Sequence, residues 1–281
     1  MVKLKSVCSV AAILAIALSS ELLGNPGLSE TTYEPPKRTP PQRTSSGTVR
    51  SPVACADSNQ EIKHIVPLIP DYLPLPEPGE ENRKTYYDLT ISEYPTLWVY
   101  LPKSSPKSDG TIPIGELVLR IVTEDEQGGE IHKSVLRHQF SLPNQAGVVS
   151  LDLADAGIEP LTLNTFYWWS VSILCNKTNR SENGQTEKIF LKRVTPSTTF
   201  RQQIFNALPT ALPRLYPQGD ENGGFWYDAI SSLIDLRQLQ PNDPDLESQW
   251  QDLLESVGLL ELAEQPLLDC CEFEQQDTPQ P

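Results

Sequence analysis

The sequence predicts a mainly β protein, an antiparallel β-sandwich followed by a C-terminal α-helical hairpin. Between Pro95 and Pro196 apolar and polar residues alternate in short runs that end at turn residues, which is the pattern of half-buried strands. After Pro196 the apolar residues recur about every 3.6 positions, which is the period of an amphipathic helix. The two periods therefore place the strands before the helices along the chain.

Six runs are predicted to be strands of this sandwich. They are TLWVYL (96–101), ELVLRIV (116–122), EIHKSVLRHQF (130–140), VVSLDL (148–153), TFYWWSVSILC (165–175) and EKIFLKRV (187–194). In the second run Leu117, Leu119 and Ile121 share one face, because successive side chains of a strand point to opposite sides. The second and third runs are joined by a predicted hairpin turn at Gly128 and Gly129, since glycine tolerates the positive φ of such turns.

The fifth run carries the strongest fold signal. Thr165, Tyr167, Trp169, Val171, Ile173 and Cys175 fall on one face, which we predict to be the core face. The preceding segment reads L-x-L-x-T-x-Y and resembles the tyrosine corner of immunoglobulin-like and fibronectin type III sandwiches. Its middle residue is leucine where the corner usually has proline. The resemblance implies that sandwich type and, being a likeness of fold, implies nothing about function.

Phe166 and Trp168 alternate with that core face and point away from it. One interpretation is a ligand-stacking surface of the kind that carbohydrate-binding modules use. The other is a surface covered by the C-terminal helices, which we favour because large exposed apolar patches are uncommon on monomers.

The region 197–268 is predicted to be helical. The segment FWYDAISSLIDLRQLQ (225–240) places its apolar residues on one stripe and ends before Pro241. A second helix is predicted to begin with Asp243 as its cap and Pro244 at its first position, and to stop at Gly258. A single hairpin has too little core of its own, so we expect it to pack on the sandwich.

The N-terminal 61 residues carry the signals of export. Lys3 and Lys5 precede an apolar run from Val10 to Leu18, which is the pattern of a secretory signal peptide, predicted here over 1–29. The run is shorter than the roughly 20 residues of a transmembrane helix, although an uncleaved anchor is an alternative. The proline-rich segment 30–61 is predicted to be a disordered spacer, the domain 62–196 to be the sandwich and 269–281 to be an acidic tail.

Four cysteines remain after the predicted signal peptide. The even number suits an oxidising compartment, and we predict a disulfide between Cys55 and Cys175. Cys270 and Cys271 are adjacent, and adjacent cysteines rarely bond to each other. No Cys-x-x-Cys pair or Cys/His cluster is present, so the sequence predicts no metal site and no cofactor.

The charge of the chain is concentrated at its C-terminal end. Residues 219–281 contain fifteen Asp or Glu and only Arg237 as a base, so they carry −14 of the total −15. Such a surface repels phosphates and anionic lipid, which excludes nucleic acid as a partner. This charge remains suited to the binding of basic proteins or cations, or to keeping the protein soluble.

The sequence predicts a non-enzyme, because no catalytic motif is found. His132 and His138 are expected on one face of a strand, yet six residues separate them by roughly 20 Å, too far to share a metal. No nucleophile elbow, zinc-protease helix or phosphate-binding loop is present. The possibility of a carboxylate pair for glycoside hydrolysis stays open, since acidic residues are abundant.

Several stretches together resemble a known family over about 90–268. They are YPTLWVYLP, ELVLRIVTEDEQGGEIHKS, FSLPNQAGVVSLDL, FYWWSVSILC, GGFWYDAISSLIDLRQLQPNDPDLESQWQDLL and SVGLLELAEQPL. The chain resembles the cyanobacterial exported family catalogued as Domain of Unknown Function 928. The resemblance implies export but brings no activity, cofactor or catalytic residue.

Two function classes follow from these observations. The first is an extracytoplasmic, non-catalytic interaction or structural module of the periplasm or cell envelope, with a protein or an envelope component as its partner and no membrane span after signal cleavage. The second is a carboxylate-dependent glycan hydrolase, or a carbohydrate-binding module. A cleft lined by two close carboxylates favours the hydrolase, whereas a closed, convex sandwich favours the first class. The ligand and the oligomeric state stay open.

Overall fold

A computed structural model describes residues 31–33, 52–70, 87–108, 110–125, 127–176 and 183–271 of the 281. The chain divides into two units, residues 1–30 and 31–281, and every described residue belongs to the second unit. The predicted signal peptide, residues 34–51 of the predicted spacer and most of the predicted acidic tail lie outside the described residues.

The described residues form ten strands, and all six predicted runs are among them. The strands are β1 (Val66–Pro67), β2 (Tyr87–Thr90), β3 (Thr96–Leu101), β4 (Ile114–Glu124), β5 (Glu130–Ser141), β6 (Gly147–Asp152), β7 (Phe166–Leu174), β8 (Gly184–Gln185), β9 (Ile189–Arg193) and β10 (Leu267–Leu268). β1 falls within residues 62–75, where apolar residues between prolines indicate an irregular or edge strand, and it lies at an edge of the first sheet. The prediction missed β2, β8 and β10, each of four residues or fewer. Runs this short are too brief to display a period of two.

The strands form two sheets, and both sheets are mixed. The first has the order β1-β3-β6-β10 and the second the order β2-β9-β7-β4-β5, with β8 paired to β7. The prediction of a wholly antiparallel sandwich is wrong, because β2 pairs with β9 in parallel and β10 pairs with β6 in parallel. Each parallel partner is far away in sequence, which leaves chain enough for the crossover that parallel pairing requires.

The main apolar core lies between the two sheets. It joins Leu97, Val99 and Val149 of the first sheet to Leu117 and Trp169 of the second, and all five side chains are completely buried. Of the six residues of the fifth run that were predicted to face the core, five belong to it: Tyr167, Trp169, Val171, Ile173 and Cys175. Thr165, which precedes β7, is only partly buried. Burial of these side chains is the main force that holds the sheets together.

Four α-helices lie between β9 and β10 in the chain. They are α1 (Thr198–Asn206), α2 (Leu212–Gln218), α3 (Trp226–Leu239) and α4 (Pro244–Glu255). The prediction for α4 is confirmed, because the Asp243 side chain accepts hydrogen bonds from the backbone N–H groups of Asp245 and Leu246, and Pro244 occupies the first turn. Gly258 adopts a φ of 77° just after the helix.

The helices cover the outer faces of both sheets. Trp226 of α3 and Trp250 of α4 form one apolar cluster with Trp98 and Tyr100 on the outer face of the first sheet. A second cluster combines Phe200 of α1 with residues on the outer face of the second sheet, among them Val118, Trp168 and Phe190. The expected packing of the α3–α4 hairpin on the sheets is therefore present, and α1 and α2 add a layer on the opposite side.

The loop before β7 contains the contact that the tyrosine-corner motif predicts. The phenolic oxygen of Tyr167 accepts a hydrogen bond of 2.9 Å from the backbone N–H of Thr162. The Arg193 guanidinium donates to the carbonyl of Leu161 at 2.7 Å in the same loop. These bonds fix the approach of the chain to β7.

Part of the predicted spacer packs against the sheets. Tyr33, Val53 and Cys55 are buried, Ala56 forms a β-bridge with Ser104, and the predicted Cys55–Cys175 disulfide is present. Here the structure differs from the prediction of a disordered spacer, because these apolar side chains enter the core despite the surrounding prolines. The structure also contains a Cys270–Cys271 disulfide, against the expectation that adjacent cysteines stay unbonded.

Candidate functional site

A polar pocket lies where α2 and α3 meet the segment between β2 and β3. Its volume is about 290 Å³, and we call it the α3 pocket. Hydroxyl groups, tyrosine rings and carboxylates dominate its lining. The lining residues are Thr90, Ser92, Tyr94, Pro95, Thr96, Leu212, Tyr216, Tyr227, Asp228, Ser231, Ser232 and Asp235.

The segment between β2 and β3 is held in place by short hydrogen bonds. The backbone N–H of Ile91 donates to Asp228 at 3.1 Å, which ties the end of β2 to the first turn of α3. The N–H of Ser92 donates to the Thr90 hydroxyl at 3.0 Å, and the N–H of Tyr94 donates to the Ser92 hydroxyl at 3.2 Å. Serine and threonine favour such local bonds in turns. The wall that carries Ser92 and Tyr94 is therefore well defined.

The floor of the α3 pocket belongs to the central part of α3. The indole N–H of Trp98 donates to the hydroxyl of Ser231 at 2.9 Å, which links the helix to the first sheet. Tyr227 is buried beside it, and its phenolic oxygen accepts a hydrogen bond of 3.0 Å from the indole N–H of Trp169 in the main core. Burial raises the pKa of Tyr227 well above 10, and the nearby Asp88 raises it further. The phenol therefore stays protonated.

Asp228 is the carboxylate with the most perturbed acidity in the pocket. Burial raises its pKa from 3.8 to about 6. Hydrogen bonds from the Ile91 N–H, the Thr90 hydroxyl and the Ser92 N–H favour the ionised form and partly oppose this rise. Asp228 thus exchanges its proton close to neutral pH while it holds the wall of the pocket.

A second carboxylate, Asp235, lies two helical turns further along α3. Burial raises its pKa, and the negative charge of Asp152 raises it further. Burial also raises the pKa of Tyr216, and the negative charge of Asp228 raises it further. No lysine, arginine or histidine is among the lining residues. The potential inside the α3 pocket is therefore negative, which disfavours anions.

The arrangement suits a ligand rich in hydroxyl groups. Carboxylates accept hydrogen bonds, whereas serine, threonine and tyrosine hydroxyls both donate and accept them. Tyr94 and Tyr216 are partly exposed and add flat apolar surface to the polar groups. A concave site with a few convergent polar groups is a candidate for small-molecule binding.

The spacing of polar residues along α3 is a sequence signal for this site. Asp228, Ser231, Ser232 and Asp235 are spaced by three, four and seven residues, so a helix brings them to one face. The prediction for this helix rested on its apolar stripe and did not include its polar face. The wall from the β2–β3 segment could not be anticipated, because β2 itself was missed.

The two rings of the candidate stacking surface are not among the lining residues and lie on the outer face of the second sheet. Trp168 is only 7% exposed, and the charged groups of Arg120 and Lys188 lie 5.5 Å and 4.9 Å from its ring centroid. Phe166 is partly buried and has the Lys192 ammonium 4.8 Å from its ring centroid. Positively charged side chains and the cluster of Phe200 surround these rings. A ligand-stacking role for them stays a prediction.

The two strand histidines do not share a face. The register of β4 with β5 shifts so that Leu119 pairs with Leu136 and Arg120 pairs with Ser134. The extra residue is a β-bulge, which reverses the alternation between positions 132 and 138. His138 is therefore buried at 8% exposure on the inner face, whereas His132 accepts a hydrogen bond from Trp168 on the outer face.

Among the described residues, no group of three or more His, Cys, Asp or Glu side chains is arranged to hold a metal ion. None of the helices in the described part of the chain is long and apolar enough to cross a membrane.

The comparison with protein families gives one match. The profile described as Domain of Unknown Function (DUF928) matches residues 45–267, which include nearly all the described strands, the four helices and every residue of the α3 pocket. The comparison with curated proteins gives no match. The matched region covers most of the 281 residues, so the chain belongs to the DUF928 family.

Proposed function

We propose that this protein is an exported, non-catalytic interaction module of the periplasm or cell envelope, and that its α3 pocket binds an uncharged saccharide unit of an envelope glycan. The lining of the pocket is the observation that carries the proposal. Within about 290 Å³ it combines four partly exposed serine and threonine hydroxyls, three tyrosines of which two are partly exposed, and two carboxylates, with no basic residue among them.

A saccharide unit matches this lining in both its polar and its apolar parts. Sugar hydroxyls donate to Asp228 and Asp235 and exchange hydrogen bonds with Ser92 and Ser232, while the C–H face of the ring packs on Tyr216. An acidic sugar is disfavoured, because its carboxylate would lie in a negative pocket without a counter-ion.

Features outside the pocket support the compartment. The basic and then apolar start of the chain has the pattern of a secretory signal. The Cys55–Cys175 disulfide persists in an oxidising environment and is unusual in the cytosol. The tyrosine-corner bond supports the further assignment of the two sheets to the immunoglobulin-like class of sandwiches, a class that serves many unrelated binding functions.

Isothermal titration with neutral oligosaccharides from purified cell envelope tests the proposal. We expect binding by the mature protein and a loss of roughly tenfold in affinity for Tyr216→Ala, the size expected when one stacked ring is removed. Phe205→Ala is the matched control, because Phe205 is an aromatic residue of α1 with 87% exposure, outside the pocket. Absence of binding, or equal affinities of the two variants, contradicts the proposal.

A carboxylate-dependent glycan hydrolase is the second candidate. It is favoured by one observation, that Asp228 with a pKa of about 6 shares the pocket with a second carboxylate, Asp235. A carboxyl group of that acidity can deliver a proton to a leaving oxygen near neutral pH. Against it, the Asp228 oxygens already accept hydrogen bonds from the β2–β3 segment.

The two candidates differ in what happens to the bound oligosaccharide. The hydrolase predicts new reducing ends that disappear in Asp228→Asn, whereas the binding module predicts an unchanged oligosaccharide recovered after prolonged incubation. Asp245→Asn, an exposed carboxylate in the first turn of α4, is the control for loss of one negative charge.

A further inference from the structure

A group of positively charged side chains surrounds Trp168 on the outer face of the second sheet. Arg120 of β4 and Lys188, next to β9, both lie over the Trp168 ring, at 5.5 Å and 4.9 Å from its centroid. His132 of β5 completes the group, with its ring centroid 6.1 Å from that of Trp168. We call Arg120, Lys188, His132 and Trp168 the cationic face.

The two cations of this face, Arg120 and Lys188, form no ion pair in the described part of the chain. The Nε atom of Arg120 is buried and has no hydrogen-bond partner among those residues. Two neighbouring, unpaired cations are unexpected in a chain with a net charge of −15, in which carboxylates are abundant.

The imidazole of His132 is held in one tautomer. The indole N–H of Trp168 donates to Nδ1 of His132 at 2.9 Å, so the proton of the neutral ring is on Nε2. Nε2 points to Glu130 at 3.5 Å. Burial lowers the pKa of His132. The positive charges of Lys188 and Arg120 lower this pKa further, whereas the negative charge of Glu130 raises it. The pKa of His132 therefore depends directly on the charges of the cationic face.

We infer that the cationic face is a binding site for a divalent tetrahedral oxyanion, a sulfate or phosphate group. Such a group offers several negatively charged oxygens to Arg120 and Lys188, and a guanidinium donates to two of them in the geometry that arginine favours. The Trp168 ring keeps the arginine and lysine side chains in position through cation–π contact, so little side-chain freedom is lost on binding. This site differs from the α3 pocket in both location and charge.

The acid–base titration of His132 by nuclear magnetic resonance tests this inference without knowledge of the natural ligand. Inorganic sulfate is the probe, at constant ionic strength set with chloride. A bound dianion favours the protonated imidazole, so sulfate is expected to raise the pKa of His132 by about one pH unit relative to chloride. The chain has three histidines, and loss of one signal in His132→Gln assigns the resonance.

Variants of the cations separate specific binding from a general salt effect. The double variant Arg120→Gln/Lys188→Gln is expected to lose the response to sulfate, whereas Lys133→Gln keeps it. Lys133 is exposed and adjoins His132 on β5, which makes it the control for a lost charge. A parallel titration with dextran sulfate distinguishes the sources: a response to the polymer alone assigns the site to a sulfated or phosphorylated polymer. Equal pKa values in sulfate, dextran sulfate and chloride, or an equal response of the double variant, overturn the inference.

Discussion

Asp228 illustrates how one carboxylate serves both the fold and the pocket. It ties the β2–β3 segment to α3 through the Ile91 N–H, and burial raises its pKa from 3.8 to about 6. The folded protein therefore binds this proton more tightly than the unfolded chain does between about pH 4 and 6. The contribution of Asp228 to stability is complete below pH 4 and is lost as the pH rises through 6.

Replacement of Asp228 by asparagine should remove this pH dependence. The amide oxygen still accepts from Ile91, but no charge is buried at neutral pH. We expect the variant to gain up to about 3 kcal/mol of unfolding free energy over the wild type at pH 7.5 and to match it near pH 4. Urea unfolding at the two pH values measures this, with Asp245→Asn as control. An equal difference at both pH values would contradict the assignment.

Tyr227 supports a buried hydrogen bond at the junction of the α3 pocket and the main core. Its phenolic oxygen is the acceptor for the Trp169 indole N–H at 3.0 Å. Tyr227→Phe leaves that N–H buried without a partner, and we expect a loss of about 1 to 3 kcal/mol in unfolding free energy. Tyr94→Phe, at a partly exposed tyrosine, is the comparison in urea unfolding. Equal losses for the two variants would show that the bond contributes nothing specific.

At the scale of elements, the long amphipathic runs were predictable and the short or irregular ones were not. β3 to β7 and β9 followed from alternation, and α4 followed from Asp243, Pro244 and Gly258. β10 is two residues long and owes its existence to pairing with β6, which no local pattern encodes. The bulge in β5 likewise depends on its partner β4, and for that reason the faces of His132 and His138 were predicted wrongly.

The packing of the α3–α4 hairpin on the first sheet gives a direct test at this scale. Trp250 is completely buried, and its indole N–H donates to the Ala263 carbonyl at 3.0 Å. Trp250→Ala is expected to cost about 3 to 5 kcal/mol, since it removes a large core side chain. Phe205→Ala removes an 87% exposed aromatic residue from α1 and should cost less than about 0.5 kcal/mol. Similar costs for both would contradict the packing described for the hairpin.

At the scale of the whole molecule, the Cys55–Cys175 disulfide links the N-terminal segment to the end of β7 across 120 residues of sequence. In the chain-entropy account, a closed loop of that length destabilises the unfolded state by about 4 to 5 kcal/mol. Cys55→Ala/Cys175→Ala should therefore lower the melting temperature strongly. Cys270→Ala/Cys271→Ala removes a bond between neighbours and should change it far less. Calorimetry of both double variants measures these melting temperatures. Comparable values for the two would be inconsistent with the chain-entropy account of the Cys55–Cys175 disulfide.

The candidate site depended on the whole molecule and so was hardest to anticipate. The polar face of α3 could be found from the spacing of Asp228 and Asp235, but the sequence gives no sign that β2 and α2 close a pocket over it. The cationic face arises in the same way, because Arg120, Lys188 and His132 come from three separate places along the chain. Side chains that are far apart in sequence meet only through the sheet register.

The most direct test of the central claim is a map of the binding site in solution. Amide chemical shifts of the isotopically labelled protein are recorded as neutral envelope oligosaccharides are added. We predict that the changes concentrate at Ser92, Tyr94, Ser231 and Asp235 around the α3 pocket, and that they vanish in Tyr216→Ala. No change at these positions, or changes elsewhere that persist in Tyr216→Ala, would contradict the claim that this pocket is the binding site.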